Sequence, residues 1–272
     1  MNRINERSVG GVVFRTANAF EQAGGLVHGF STRFGGVSEG IWNSMNLGVS
    51  RGDEPDRVRE NYRRFFAAIG ASMDRVAMTN QVHEAEIRTV TQADWKSDIY
   101  EKKGYEADGL ITDTPGVALV IFSADCLPIL CYDPVKRVIC AVHAGWRGTV
   151  AGIARRAVEK MRTDYGCRAE DILAAIGPGI SKCHFETHAE VPEAVRGILS
   201  PEEAEPCITE DGNGKYHVDL KAVNAALLRQ AGVREAHLTV DPECTYCLHE
   251  KYWSHRITGG ERGSQGAVIQ LL

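Results

Sequence analysis

Two apolar runs dominate the hydrophobic pattern of this chain. The first spans residues 117–133 and the second residues 137–144, with Asp133-Pro134 between them. Their β-branched content and the intervening turn predict two neighbouring buried strands. Polar chemistry interrupts the pattern at fixed points. The first run delivers Asp125 and Cys126; the second delivers His143, followed by Trp146 and Arg147.

Shorter elements flank this pair. Residues 9–16 and 25–31 read as opening strands. Asp53-Glu54-Pro55 starts a helix that runs to about 69 and stops at Gly70, with acidic residues and proline in its first turn. Strands are expected at 75–78 and 107–112, and a polar irregular loop at 91–106. Gly148-Thr149 opens a helix over 150–165, with Thr149 as its N-cap, and Gly166 ends it. A strand over 171–176, a helix over 189–199 and an acidic loop over 200–214 follow, the last with a hairpin tip at 211–214. Then come a strand (216–219), a helix (220–230) and strands at 236–240 and 266–272. Strands and helices alternate without repeat or linker, which predicts one mixed α/β domain over 1–272.

Composition narrows the class. With 272 residues, 43% of them hydrophobic, the chain can bury one large core. A net charge of -5 supplies no field that would gather nucleic acid or an anionic membrane. No apolar run approaches the roughly 18 residues of a membrane span. The first eight residues are polar and unlike a signal peptide. Eight scattered cysteines, with Cys131 and Cys140 packed as small hydrophobes in the apolar runs, then read as reduced cytoplasmic thiols rather than a disulfide framework.

Three groups could hold a metal. Cys244-x-x-Cys247 with His249 is a familiar pattern, but a structural zinc site needs a second ligand pair and none is evident. Cys183, His184 and His188 form another group, read as packing or pocket lining. His83, Cys126 and His143 form the third: each closes an expected strand, and three ligands with one open position suit a catalytic zinc. A metal-free alternative uses Cys126 as nucleophile and His143 as its base. Asp108 is carried towards the same centre. Around it, the Gly-rich loop from Thr32 to Gly40 lets a backbone approach a ligand and presents Arg33 to an anion; the competing account is a surface loop. Arg147 and Gly148, at an expected helix N-terminus, also suit an anion. A second Gly-rich turn, Gly177-Pro178-Gly179, leads to Cys183.

The runs Asp108-Gly109-Leu110-Ile111-Thr112, Ala124-Asp125-Cys126-Leu127-Pro128-Ile129, His143-Ala144-Gly145-Trp146-Arg147-Gly148-Thr149, Ile176-Gly177-Pro178-Gly179-Ile180 and Ser254-His255-Arg256 resemble the YfiH-type family. Its members have been described as multicopper polyphenol oxidoreductases (laccases) and as purine nucleoside phosphorylases with adenosine deaminase activity. The likeness extends from Ser31 to the last strand; one departure is Ile257, where many members carry a second arginine. The resemblance implies a layered α/β/β/α fold of mixed sheets flanked by helices. It also implies zinc on His83, Cys126 and His143, with purine nucleosides (inosine, adenosine, 5'-methylthioadenosine) and phosphate as substrates. On that reading Arg147, Arg33 and Ser31 hold phosphate and Asn46 contacts ribose or base. Trp146 stacks on the purine, Gly177 and Cys183 line the pocket, and Asp125 or Asp108 shuttles a proton. The competing accounts are copper-dependent phenol oxidation, a cysteine hydrolase or amidase acting on cell-wall precursors, and a binding protein without catalysis. The expected assembly is a monomer or weak homodimer.

Overall fold

The apolar run that begins at Val117 is not one strand. It breaks at Ala124-Asp125-Cys126, where the chain passes from one sheet to another: Ala118–Ser123 lies in a seven-stranded sheet and Leu127–Asp133 in a six-stranded one. The computed structural model describes residues 2–101 and 104–272. The predicted hairpin is present, with Leu127–Asp133 pairing antiparallel to Val138–Ala144 and His143 opposite Pro128.

The six-stranded sheet runs, in spatial order, Leu238–Val240, Leu173–Ile176, Leu127–Asp133, Val138–Ala144, Gly109–Thr112 and Ile87–Thr89. The seven-stranded sheet has Gln265–Leu271 between Leu26–Ser31 and Ala118–Ser123. Both sheets mix parallel with antiparallel pairs.

The sheets pack face to face. Leu119, Ile121, Ala267 and Ile269 of one share a core with Leu130, Tyr132, Ile139 and Ala141 of the other. Alternate residues point outward, as strand pleating requires. Ala118, Val120 and Val268 meet the helix Pro55–Ile69 through Val58, Tyr62, Phe65 and Phe66. Ile129, Cys131, Cys140 and Val142 meet the helices Ile153–Tyr165 and Leu220–Gln230. The result is the layered α/β/β/α arrangement. Strands covered on both faces need apolar residues at every position, which is why these runs lack polar alternation.

The helix Pro55–Ile69 ends as its sequence predicts. Gly70 adopts φ 77° and its N–H caps the carbonyls of Phe66 and Ala67. Other expectations need correction. Residues 9–16 are not one strand: Gly10 and Gly11, both at positive φ, turn the chain between Ile4–Val9 and Val12–Ala17. The helix expected over 150–165 is two. A single turn, Trp146–Val150, precedes Ile153–Tyr165, and Gly152 at φ 79° separates them. Thr149 is therefore not an N-cap; its hydroxyl accepts from Asn224 Nδ2 at 2.9 Å inside the core. The acidic loop over 200–214 contains a short helix, Pro201–Ala204, and a strand, Ile208–Glu210, of a small three-stranded sheet. The irregular loop expected over 91–106 includes the short strand Trp95–Lys96; its residues 102 and 103 lie outside the described residues. Among the described residues no helix is long and apolar enough to cross a membrane.

Candidate metal centre

His83, Cys126 and His143 come from three separate elements and meet. Their ligand atoms all lie within 4.8 Å of one another, and the two imidazoles pack edge to face with centroids 4.8 Å apart. His143 ends the strand Val138–Ala144 and is buried. Cys126 sits at the crossing between the sheets, partly exposed, and His83 lies on an exposed loop.

One carboxylate organises two of the three. Asp108 is fully buried, and its Oδ1 lies 2.7 Å from His143 Nδ1. The same Oδ1 accepts the His83 backbone N–H at 3.1 Å, while Oδ2 accepts those of Val82 (3.1 Å) and Glu84 (2.9 Å). With Nδ1 occupied, His143 has Nε2 left for a metal, the carboxylate–histidine arrangement common at metal sites. The loop grip also explains how His83 holds a left-handed backbone (φ 63°), which costs a non-glycine residue roughly 1–2 kcal/mol. Asp125, beside Cys126, is left-handed as well (φ 79°).

The electrostatics fit a ligand set. Burial opposes the Cys126 thiolate, yet His143, and then His83, outweigh it and bring the thiol down to about 6. Burial likewise disfavours a charged His143, but Cys126 and Asp108 raise it to about 9. Burial alone would push the Asp108 carboxyl up; hydrogen bonds from His143 and the loop amides hold it below the ordinary carboxylate range. Gly145 closes the back of the site. A Cβ there would lie 3.1 Å from His83 Cδ2 and 3.2 Å from Cys126 Sγ. Two imidazoles and a thiolate suit a borderline-soft ion such as zinc or copper, and three protein donors leave a position open.

The remaining candidates divide. Trp146 is half-buried against the core, and the exposed Arg147 stacks its guanidinium 4.3 Å above the indole ring. Both follow His143 directly and sit at its end of the sheet. The one-turn helix that carries them is too short to concentrate positive charge for an anion, contrary to the expectation for Gly148. Asp125 is committed: Oδ1 accepts from Thr245 Oγ1 (2.6 Å), and Oδ2 from Ser254 Oγ (3.0 Å) and the Arg256 N–H (2.7 Å). It clasps the C-terminal segment, with three donors on its two oxygens.

The side chains expected to contact phosphate and ribose have partners within the protein. Ser31 is buried in the sheet, where its hydroxyl accepts the Gly266 N–H at 2.9 Å. Arg33 donates to the carbonyls of Asn43 and His249 and lies 4.0 Å over Trp253. Asn46 is fully buried; its Oδ1 accepts from Gly48 and Ser264, and its Nδ2 donates to Asp53. All three tie loops together, and Arg33 also lines a cavity with Phe34, Asn43, His249 and Glu250. Gly177 packs under Phe30, whose ring a Cβ would strike at 2.4 Å.

Two features escape a reading of the sequence. Arg262 is buried, and its Nε has no hydrogen-bond partner among the described residues. Burial first, then the nearby Arg51, lower its pKa to about 10, and it feels the charges of Asp125 and Cys126. The burial and Arg262 that lower His255 mark a common positive patch. The signal is a buried guanidinium that donates only to the Gly263 carbonyl and Ser264 Oγ among the described residues, and it is invisible without tertiary contacts. Secondly, Cys183 does not line the first centre. It meets His184, Cys244 and Cys247, whose ligand atoms also lie within 4.8 Å of one another. The missing half of the Cys244-x-x-Cys247 pattern is therefore Cys183-His184; the adjacency of two soft ligands is the available clue. His188 and His249 stand outside this cluster.

Known proteins share this fold over nearly the whole chain. Residues 27–272 match the family model described as multi-copper polyphenol oxidoreductase laccase. A purine nucleoside phosphorylase of Deinococcus radiodurans is 39% identical over 244 residues, covering 90% of this chain and 88% of its own. The purine nucleoside phosphorylase YlmD of Geobacillus stearothermophilus is 35% identical over 250 residues, covering 91% and 90%. The crystal structure of YlmD from Geobacillus stearothermophilus superposes with a TM-score of 0.90 at 34% identity, over 97% of each chain. With that extent of match in sequence and structure, the chain belongs to the multi-copper polyphenol oxidoreductase laccase family, alongside proteins named as YlmD- and YfiH-type purine nucleoside phosphorylases.

Proposed function

We propose that this protein is a zinc-dependent purine nucleoside phosphorylase. It would cleave inosine, adenosine and 5'-methylthioadenosine with phosphate and also deaminate adenosine, acting in the cytoplasm as one domain over 1–272, a monomer or weak homodimer. The observation that carries the reading is the convergence of His83, Cys126 and His143 on a shared point with His83 exposed to solvent. The names of the relatives support the reaction class.

In phosphorolysis a phosphate oxygen bonds to C1′ as the C1′–N9 bond breaks. The purine leaves with the bonding electrons and takes up a proton. The sugar passes through an oxocarbenium-like state, as in glycoside cleavage. Held by His83, Cys126 and His143, a zinc ion would supply positive charge against the leaving base. Asp108 fixes the His143 ring and the His83 loop, so the ligands need not reorganise. Arg262, buried and without an acidic hydrogen-bond partner among the described residues, is the better phosphate anchor than Arg33 or Ser31. Arg51 adds charge beside Arg262, and on this reading Arg147 meets phosphate and Trp146 the purine.

Purified protein incubated with inosine and phosphate should release hypoxanthine and ribose 1-phosphate. Arg262→Met should raise the phosphate KM at least tenfold and leave the inosine KM within threefold. Absence of turnover by folded, zinc-loaded protein rejects the proposal. One observation favours a second reading: the Cys126 thiolate paired with His143 resembles the charge state of a cysteine hydrolase. Such an enzyme keeps its activity in chelator; the phosphorylase loses it. Turnover of phenols only after copper loading would favour the laccase reading instead.

A further inference from the structure

We propose that Cys183, His184, Cys244 and Cys247 form a second, closed metal site that takes a zinc ion in a structural role. Three sulfurs and one imidazole nitrogen gather there within 4.8 Å of one another. Cys183 Sγ lies 3.7 Å from Cys247 Sγ, and His184 Nδ1 lies 3.2 Å from each. Zinc–sulfur bonds of about 2.3 Å and a zinc–nitrogen bond of about 2.0–2.1 Å, arranged tetrahedrally, set donor separations of roughly 3.5–3.8 Å. The separations among Cys183, His184 and Cys247 lie close to these edge lengths, and Cys244 Sγ lies within 4.8 Å of all three. The two exposed sulfurs are well beyond the roughly 2.05 Å of a disulfide.

The backbone preorganises the cluster. Leu173–Ile176 and Leu238–Val240 are parallel neighbours, so the turns that follow them leave one end of the sheet side by side. The pairing continues as a bridge between Gly179 and Cys244 and as the Thr245 N–H on the Gly179 carbonyl at 3.2 Å. A Cβ at 179 would lie 2.4 Å from Leu127 and 2.9 Å from the Asp125 carbonyl, so glycine lets this turn pack against the Asp125–Leu127 segment. The Ser181 N–H donates to Cys244 Sγ at 3.3 Å, an amide–sulfur contact that favours a thiolate. The His184 ring stacks on Tyr246 at 4.1 Å and 17°, which fixes Nδ1 towards the sulfurs.

Four protein donors distinguish this site from the triad. Three leave a coordination position for a ligand; four complete the shell and leave a structural role. The role follows from what the two turns carry. Ile180 donates its N–H to the Asp125 carbonyl, and Thr245 donates its hydroxyl to the Asp125 carboxylate. A cation joining the turns therefore locks the segment beside Cys126.

The test is metal content of the full chain, purified under reducing conditions without added metal. Wild type should carry two zinc ions per chain, Cys126→Ala one, and the Cys183→Ala/Cys247→Ala double variant one. Cobalt exchanged into Cys126→Ala should give strong thiolate-to-cobalt charge-transfer absorption. That measurement leaves the proposed cluster intact and decides the matter even if the double variant does not fold. Folded Cys126→Ala without metal overturns the proposal, as does a Cys183–Cys247 disulfide found by mass spectrometry in the reduced preparation. Neither outcome bears on the triad, whose own metal is read from the double variant.

Discussion

Replacing Asp108 by asparagine tests the claim that one carboxylate sets two metal ligands. The substitution keeps the shape and removes the charge. Asp108 accepts four hydrogen bonds, two on each oxygen: His143 and the His83 amide on Oδ1, Val82 and Glu84 amides on Oδ2. A carboxamide has one acceptor oxygen, so whichever way the new side chain turns, its NH₂ faces two donors. Losing two charge-assisted bonds at ~1.5–3 kcal/mol each gives a destabilisation of about 3–6 kcal/mol. At ~2–4 °C per kcal/mol for a chain of this size, the melting temperature of the metal-free protein falls by roughly 6–24 °C. Loss of the imidazole's partner weakens metal binding a further ~10–100-fold. Calorimetry gives the first quantity and competition with a chromophoric chelator the second. A melting temperature within 2 °C of wild type, with unchanged metal affinity, would refute the assignment.

Two further predictions concern steric closure and pH. Gly145→Ala is compatible with the backbone there (φ -70°, ψ 172°), so its effect is steric: the Cβ presses on His83 and Cys126. The far-ultraviolet circular dichroism should stay unchanged while triad metal affinity falls at least tenfold; retained affinity would show that the ligands can shift freely. His28 is buried, its Nε2 accepts the Ala17 N–H at 2.7 Å, and burial lowers its pKa from 6.5 to about 4. Above pH 6.5 neither folded nor unfolded chain protonates it. As the pH falls towards 4 only the unfolded chain takes up the proton, so stability is lost across that window, by about 3 kcal/mol. Urea unfolding at pH 7 and 4.5 should show that His28→Gln loses about 2–3 kcal/mol less than wild type over this interval; equal losses would exclude the linkage.

Local rules suffice where the cause is local. The helix Pro55–Ile69 is legible from its proline, its apolar spacing and Gly70, because capping and amphipathicity act within a few residues. Leu220–Gln230 is legible for the same reason. The hairpin of Leu127–Asp133 and Val138–Ala144 is legible from its turn. The break at Asp125 is not. Both flanking segments are buried on two faces, so a change of sheet leaves no change in hydrophobicity. Arg33, Asn46 and Ser31 look available because polar residues in a Gly-rich loop suggest a ligand; their partners, Asn43, His249, Asp53, Ser264 and Gly266, are known only once the loop is packed.

The sequence by itself determined which soft and basic side chains exist and which strands carry them, so His83, Cys126 and His143 stand out without any coordinate. Tertiary structure alone decided which of them meet. It separated Cys183 from the first centre and joined it to Cys244 and Cys247, gave Asp108 its grip on two ligands, and left the Arg262 Nε buried without a hydrogen-bond partner among the described residues. The physical reason is range. Propensity and capping are read within a turn or two, whereas coordination and charge pairing depend on distances between residues that only the packing of two sheets brings together.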